Sequence, residues 1–111
     1  IEKIEEAIRE YLGKEYGFLT IDDVSSVGSL NLSGQQITDL TPLADLGALE
    51  YLDLSGNEIT DLSPLHRLWY LYELDLRDNP DLTLAQISDL EYCLEDNYYY
   101  DEFEIQHNAT K

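Results

Sequence analysis

LNLSGQQITDLTPLADLGALEY, residues 30–51, and LDLSGNEITDLSPLHRLWYLYE, residues 52–73, are two copies of one unit. They lie 22 residues apart and agree at 12 of those 22 positions. A third copy opens at Leu74 with LDLRDNPDLT and then departs. The shared pattern, L-x-x-L-x-L-x-x-N-x-L, runs through Leu49, Leu52, Leu54, Asn57 and Ile59, and one turn later through Leu71, Leu74, Leu76 and Asn79. One turn earlier a weaker version uses Val27, Leu30, Leu32, Gln35 and Ile37, with Gln35 where the asparagine belongs. Self-similarity at this period predicts a solenoid of stacked coils.

Each element of the pattern has a physical reason. The L-x-L alternation predicts a short strand with both leucines pointing into the core. The asparagine turns the chain out of the strand, and its buried amide can satisfy backbone groups of the neighbouring coil. Thr41-Pro42 and Ser63-Pro64 put a hydroxyl before a proline, which predicts a hydroxyl-capped helical turn. Leu43, Leu46 and Leu49, with Leu65, Leu68 and Leu71, then return apolar side chains to the core. An amphipathic helix with chance similarity is excluded, because Pro42, Gly56 and Pro64 would interrupt it.

No coil can bury its own leucines, so a short stack needs caps at both ends. Ile1, Ile4, Ala7, Ile8, Tyr11 and Leu12 follow helical spacing, and Gly13 and Gly17 punctuate its end. A second helical turn is predicted from Thr20-Ile21-Asp22-Asp23, with Val24 and Val27 in the places of Leu46 and Leu49. The first strand is then about Ser29–Ser33. At the other end Thr83…Gln86 reads as a capping box. Leu84, Ile87, Leu90, Cys93 and Leu94 form an apolar stripe on the following helix, which makes Cys93 a core residue, and Asp96-Asn97 ends it. Glu102 to Gln106 alternates at period two, a last strand with Phe103 and Ile105 inward. The expected division is one domain over residues 1–111: an N-terminal helical cap at 1–26, about three coils at 27–82, and a helix-and-strand cap at 83–111.

The charge is extreme: 24 Asp and Glu against 6 Lys and Arg, a formal net of −18. It is spread as −4 over residues 1–26, −8 over 27–82 and −6 over 83–111. Nucleic acid and anionic lipid would both be repelled, which argues against direct binding of either. A basic partner is favoured, or the charge only keeps a small protein soluble. One cysteine excludes an internal disulfide and a cysteine-ligated zinc site. No apolar run approaches the roughly 18 residues of a membrane span. No signal peptide is visible, yet the chain begins at Ile1 and not methionine, so the compartment stays open between cytoplasm and cell surface.

The string ITDLTPL…LEYLDLSGNEITDLSPL resembles the 22-residue repeats of bacterial internalin-like leucine-rich-repeat proteins. REYLGK…LTIDDV is similar to the helical cap and first coil of bacterial members, and NPDLTLAQISDLEYCL to the C-terminal cap of short ones. The resemblance implies an α/β fold: a short leucine-rich-repeat solenoid, with parallel concave strands, short helical turns on the convex side and helices capping both ends. It also implies binding through the concave sheet, to receptors, other proteins or saccharides. Two departures are the small number of coils and Gln35.

Strand alternation leaves three rows on the concave face. The central row is Asn31, Asp53, Asp75 and Glu104; one flank is Ser29, Tyr51, Glu73 and Glu102; the other is Ser33, Ser55, Arg77 and Gln106. Asp53 and Asp75 would face each other as like charges about 4.8 Å apart, unfavourable unless solvated or partnered. Aromatic residues are the second candidate contact surface. Trp69, Tyr70 and Tyr72 stand where the first copy has Gly47, Ala48 and Glu50, either as contacts or as cover for the core. Tyr98, Tyr99 and Tyr100 follow the C-terminal helix, flanked by Asp96, Asp101 and Glu102.

Catalytic patterns are absent: His66 and His107 have no motif-spaced partners, and no P-loop, HExxH or serine triad occurs. His66 aligns with Ala44 on the convex surface. Asp53, Asp75 and Glu104 could offer oxygen to calcium, but no loop of recognised spacing supports that. Asn31-Leu32-Ser33 and Asn108-Ala109-Thr110 fit the glycosylation acceptor pattern, which short sequences meet by chance. The reading is therefore a monomeric, non-enzymatic protein-interaction module without cofactor or metal, taking a basic partner on its acidic concave face and C-terminal tyrosines. The alternatives are an acidic inhibitor filling the basic groove of a nucleic-acid-binding protein, and a domain cut from a bacterial surface or adhesion protein.

Overall fold

Leucines spaced 22 residues apart in the chain become lateral neighbours in a sheet. In a computed structural model, described for residues 2–94 and 104–110, strands β1 (Ser29–Asn31), β2 (Tyr51–Asp53), β3 (Glu73–Asp75) and β4 (Glu104–Gln106) form a parallel sheet in sequence order. Leu30, Leu52, Leu74 and Ile105 stand in one inward row. The opposite side of each coil carries a 3-10 turn, Thr41–Leu43 in one and Ser63–Leu65 in the next. Leu43, Leu46, Leu49, Leu65, Leu68 and Leu71 are completely buried between turns and sheet. Leu40 and Leu62 join the same core. The fold is the α/β solenoid that the repeat implies.

The repeat asparagines do what the pattern requires. Asn57 Nδ2 donates to the carbonyls of Leu32 and Leu54, each at 2.9 Å, and its Oδ1 accepts from the amides of Gln35 and Ile37, each at 3.0 Å. Asn79 repeats this one coil on, donating to Leu54 and Leu76 and accepting from Ile59. Both side chains are buried. At Gly56 the chain takes φ +68°, and a Cβ there would meet the Gly34 nitrogen at 3.5 Å, an ordinary contact. The left-handed turn, rather than lack of room, favours glycine there.

The 3-10 turns are capped differently from the expectation. Thr41 and Ser63 are the first helical residues, not caps, and neither turn has a side-chain cap of the ordinary kind. Asp39 Oδ1 instead accepts from the Thr41 amide at 2.9 Å and the Thr41 hydroxyl at 2.8 Å, and Asp61 accepts from the Ser63 amide at 2.9 Å. Each turn starts one residue earlier than expected, with Leu40 or Leu62 at the cap position, so the aspartate two residues ahead takes the amide. His66, expected on the surface, closes the second 3-10 turn and is partly covered.

Helix α1 (Glu2–Leu12) packs against β1 and buries Ile4 and Ile8 on the first coil. Lys3 Nζ reaches over to donate to the Gln35 carbonyl. Tyr11, placed by spacing on the apolar stripe, is instead 49% exposed, with its hydroxyl accepting from the Gly28 amide at 3.3 Å. Helix α2 (Ile21–Val24) starts at Thr20 with a complete capping box to Asp23. β1 ends at Asn31, short of Ser33, although the Leu32 and Gly34 amides still donate to the Asp53 and Ser55 carbonyls.

Helix α3 (Leu84–Leu94) begins at the predicted Thr83–Gln86 box, with Gln86 Oε1 accepting from the Thr83 amide at 2.9 Å. Ile87, Leu90 and Leu94 are buried, but Leu84 is exposed in the first turn and Cys93 is only partly covered. The core under α3 is narrower than a five-residue stripe. Register is the larger correction. Ile105 pairs with Leu74, so Glu104 lies beside Glu73 and Gln106 beside Asp75. A slip of two residues keeps every side chain on its predicted face, so alternation could not detect it. Tyr98, Tyr99, Tyr100, Glu102, Phe103 and the Asp96-Asn97 helix end lie outside the described residues.

Candidate functional site

The concave face is built from residues that alternate with the buried leucines. Its central row is Asn31, Asp53, Asp75 and Gln106; its flank is Ser29, Tyr51, Glu73 and Glu104. Glu104 thus leaves the central row, and the trio Asp53, Asp75 and Glu104 does not share one line of the sheet. Among the described residues no group of three or more His, Cys, Asp or Glu is arranged to hold a metal ion.

The two facing aspartates are not bare like charges. Asp53 Oδ1 accepts from the Ser55 amide at 3.0 Å and the Ser55 hydroxyl at 2.7 Å. Asn31 makes the same pair of bonds to Ser33, at 3.0 and 2.7 Å. Asp75 accepts from the Arg77 amide at 3.1 Å, and the guanidinium closes on both oxygens, Nε to Oδ1 at 3.1 Å and Nη2 to Oδ2 at 2.8 Å. Arg77 thereby holds the Asp75 carboxyl below the usual aspartate range. Asn31, Asp53 and Asp75 are each fixed by the residue two positions on, so the two carboxylates have a defined direction without a partner.

Tyr51 lies beside them, partly buried in the flank row between Ser29 and Glu73. Burial pushes its phenol above the ordinary tyrosine value, and the carboxylates of Asp53, Glu73 and Asp75 push it further. A neutral phenol surrounded by anions is a hydrogen-bond donor waiting on a polar surface.

Along the edge where the strands begin, Gly28, Glu50 and Tyr72 follow one another at the repeat spacing. Tyr72 continues the ladder through its backbone, donating to the Glu50 carbonyl at 3.0 Å and accepting from the Glu104 amide at 2.8 Å. Trp69, Tyr70 and Tyr72 are 49%, 37% and 38% exposed. About half of Trp69 is therefore open to solvent. The structure brings Tyr51, Asp53, Glu73, Asp75, Arg77 and Glu104 together on one sheet, with Asn31 at its first strand. Trp69 precedes that edge.

The glycosylation-pattern asparagines have local work. Asn31 holds its turn, and Asn108 Oδ1 accepts from the Asp78 amide. Sequence reasoning also passed over Tyr16 and Phe18, and read Ile21 only as part of a helical turn; all three are strongly exposed apolar residues, the last at the start of α2. Their one signal was an aromatic pair, in KEYGFLT, that belongs to no periodic stripe.

Similarity to known proteins follows the same outline. The sequence matches the family described as Leucine Rich repeats (2 copies) over residues 28–65 and 47–92. No curated protein matches it. Among solved structures, an internalin of Listeria monocytogenes (InlF) superposes with a TM-score of 0.65 at 22% identity, covering 98% of this chain and 38% of its own. Internalin C2 of the same organism gives 0.58 at 19% identity, with 98% and 66% covered. A Clostridium perfringens ZmpB structure containing CBM51-2 and INT domains gives 0.58 at 32% identity, with 68% of this chain and 17% of that one covered. The chain thus spans less than two thirds of each of these relatives. The chain belongs to the leucine-rich-repeat family, and its fold is an internalin-like solenoid.

Proposed function

We propose that the chain is a non-enzymatic protein-interaction module that receives a basic protein on its concave face. One observation carries this reading: the carboxylates of Asp53 and Asp75 are pre-set by turns of their own strands, so the face is charged and rigid before any partner arrives. Strand positions 29 to 33, 51 to 55 and 73 to 77 contain one cation, Arg77, and it is engaged with Asp75. Tyr51 adds a phenol donor in the flank row, and Trp69 and Tyr72 supply partly exposed aromatic area at the edge, the residue types that concentrate binding energy. Tyr98, Tyr99, Tyr100 and Glu102 extend the proposed contact from sequence alone. No helix among the described residues is long and apolar enough to cross a membrane.

The test compares the immobilised chain with an Asp53→Asn/Asp75→Asn variant, in lysate of the source organism at low and high salt. A protein retained by the first at low salt, released by high salt and missed by the variant supports the reading. A partner held equally by both, whatever the salt, refutes it.

A second reading is favoured by coverage. The chain matches only 38% of InlF and 17% of the ZmpB structure, so we infer alternatively that it works as one module of a longer bacterial surface protein. The mass of the native protein recovered from the source cell decides between a free module and a tethered one. The inhibitor alternative, a mimic of nucleic acid, predicts that the retained partner is a nucleic-acid-binding protein and that added DNA displaces the chain from it.

A further inference from the structure

Three of the most exposed large apolar side chains among the described residues fall within one six-residue stretch: Tyr16 at 83%, Phe18 at 94% and Ile21 at 84%. Soluble proteins scatter such residues singly, so three within six residues of chain single out this segment. Ile21 also lines a groove of about 550 Å³ whose other apolar walls are Ile8, Leu19, Val24 and Pro42. Ile8 comes from α1, Val24 from α2 and Pro42 from the first 3-10 turn, so the groove lies on the convex side, away from the concave sheet.

The stretch is held in place. Arg9 Nη2 donates to the Gly17 carbonyl at 2.7 Å, and Lys14 Nζ donates to the Phe18 carbonyl at 2.6 Å and to Asp23 Oδ2 at 2.9 Å. The Thr20–Asp23 capping box clasps its far end. A preorganised apolar surface loses little conformational freedom on binding, which is where affinity is usually lost.

Charge selects the occupant. Glu5 and Asp45 sit in the groove wall, and Glu15 and Asp22 are exposed on the same stretch. The cations of this end are committed, Arg9 and Lys14 to loop carbonyls and Asp23, and Glu5 meets Arg9 only at 3.9 Å. The rim is therefore anionic around an apolar floor. A second copy of this chain, with its net charge of −18, is a poor fit, as is anionic lipid. We infer that this groove is a second docking site, independent of the concave face, for a short protein segment carrying an apolar side chain flanked by Lys or Arg.

The test titrates the isotope-labelled chain with three synthetic hexapeptides, KKLLKK, KKSSKK and EELLEE, following backbone amides by NMR. KKLLKK should shift the amides of Thr20–Val24 and Leu43–Asp45. Each control should bind at least about tenfold more weakly, and Ile21→Ser should lose about tenfold for KKLLKK at unchanged Tm. Because Ile21 is 84% exposed, Ile21→Ser leaves folding intact, and the unchanged Tm checks that. The Asp53→Asn/Asp75→Asn variant should bind KKLLKK at this site as the parent does, whatever happens to the concave-face reading. Shifts confined to Tyr51–Ser55 and Glu73–Arg77, equal binding of KKSSKK, an unaffected Ile21→Ser, or no shift at all would each overturn the inference.

Discussion

Asn57 and Asn79, one repeat apart, donate to the same acceptor: each places its Nδ2 2.9 Å from the Leu54 carbonyl oxygen. The carbonyl has two lone pairs, and the two amides use both. Each coil is thereby tied to the next through the buried backbone, independently of its leucines. The other bonds are unequal. Asn57 alone serves the Leu32 carbonyl and the Gln35 and Ile37 amides, whereas Asn79 serves Leu76 and Ile59.

Asn57→Ala should consequently cost more than Asn79→Ala. Each stranded buried group costs roughly 1–3 kcal/mol. About 4 kcal/mol is expected for Asn57→Ala and about 3 kcal/mol for Asn79→Ala, out of the roughly 5–15 kcal/mol that hold a domain folded. Urea unfolding measures both. Equal losses, or losses under about 1 kcal/mol, would show that water replaces the ladder.

The central row offers a cleaner comparison. Asn31 makes the same two bonds to Ser33 that Asp53 makes to Ser55. Asp53→Asn should therefore keep the turn and change stability by less than about 0.5 kcal/mol. Asp53→Ala removes the acceptor and should lose about 1 kcal/mol. Thermal melts of the two variants check this; a loss in the asparagine variant equal to the alanine one would mean that charge, not the turn, matters to folding.

How much of this was legible in the sequence depended on what carried the information. Leucine spacing read directly into inward rows because side-chain direction is a strict function of position in a strand. The asparagine ladder and the Thr83–Gln86 box read equally well, each being a local rule. What escaped were choices between equivalent local solutions. Alternation is blind to a two-residue slip, so Glu104 was placed beside Asp75 when it stands beside Glu73. In ITDLTPL both Thr41 and Asp39 can cap, and a one-residue difference in where the turn starts selects Asp39. The candidate surface was harder, since exposure is set by what the rest of the chain fails to cover. Nothing in the sequence pattern distinguishes Phe18 or Ile21 from covered residues of the cap; their exposure appears only in the folded chain.

Arg77 and Asp75 separate stability from charge. The pair is surface-facing on the arginine side, whose side chain is 52% exposed. Such pairs contribute about 0–1 kcal/mol, so Arg77→Gln should barely move the Tm. It should, however, let the Asp75 carboxyl rise towards its ordinary value and leave the face one unit more negative. Association with a cationic probe, a deca-lysine peptide followed by stopped flow, should become faster and more salt-sensitive. An unchanged rate at low salt would remove electrostatic steering from the account of this face.

Acid should unfold the protein through a small set of aspartates. Asp23 is lowered from 3.8 to about 2, chiefly by the Thr20 amide and then by Lys14. Asp39 and Asp61 are lowered first by the amides of Thr41 and Ser63, and Asp75 first by the Arg77 side chain. Each group binds its proton less tightly when folded than when unfolded. Their contribution is therefore complete above the unfolded value and is lost as pH falls through the folded one. For Asp23 that window runs from 3.8 down to about 2. The Tm should hold until about pH 4 and then decline towards pH 2. Asp39→Asn with Asp61→Asn keeps both acceptors and removes two titrations, so its decline should be shallower over that interval. Parallel slopes for parent and variant would place acid sensitivity elsewhere in the chain.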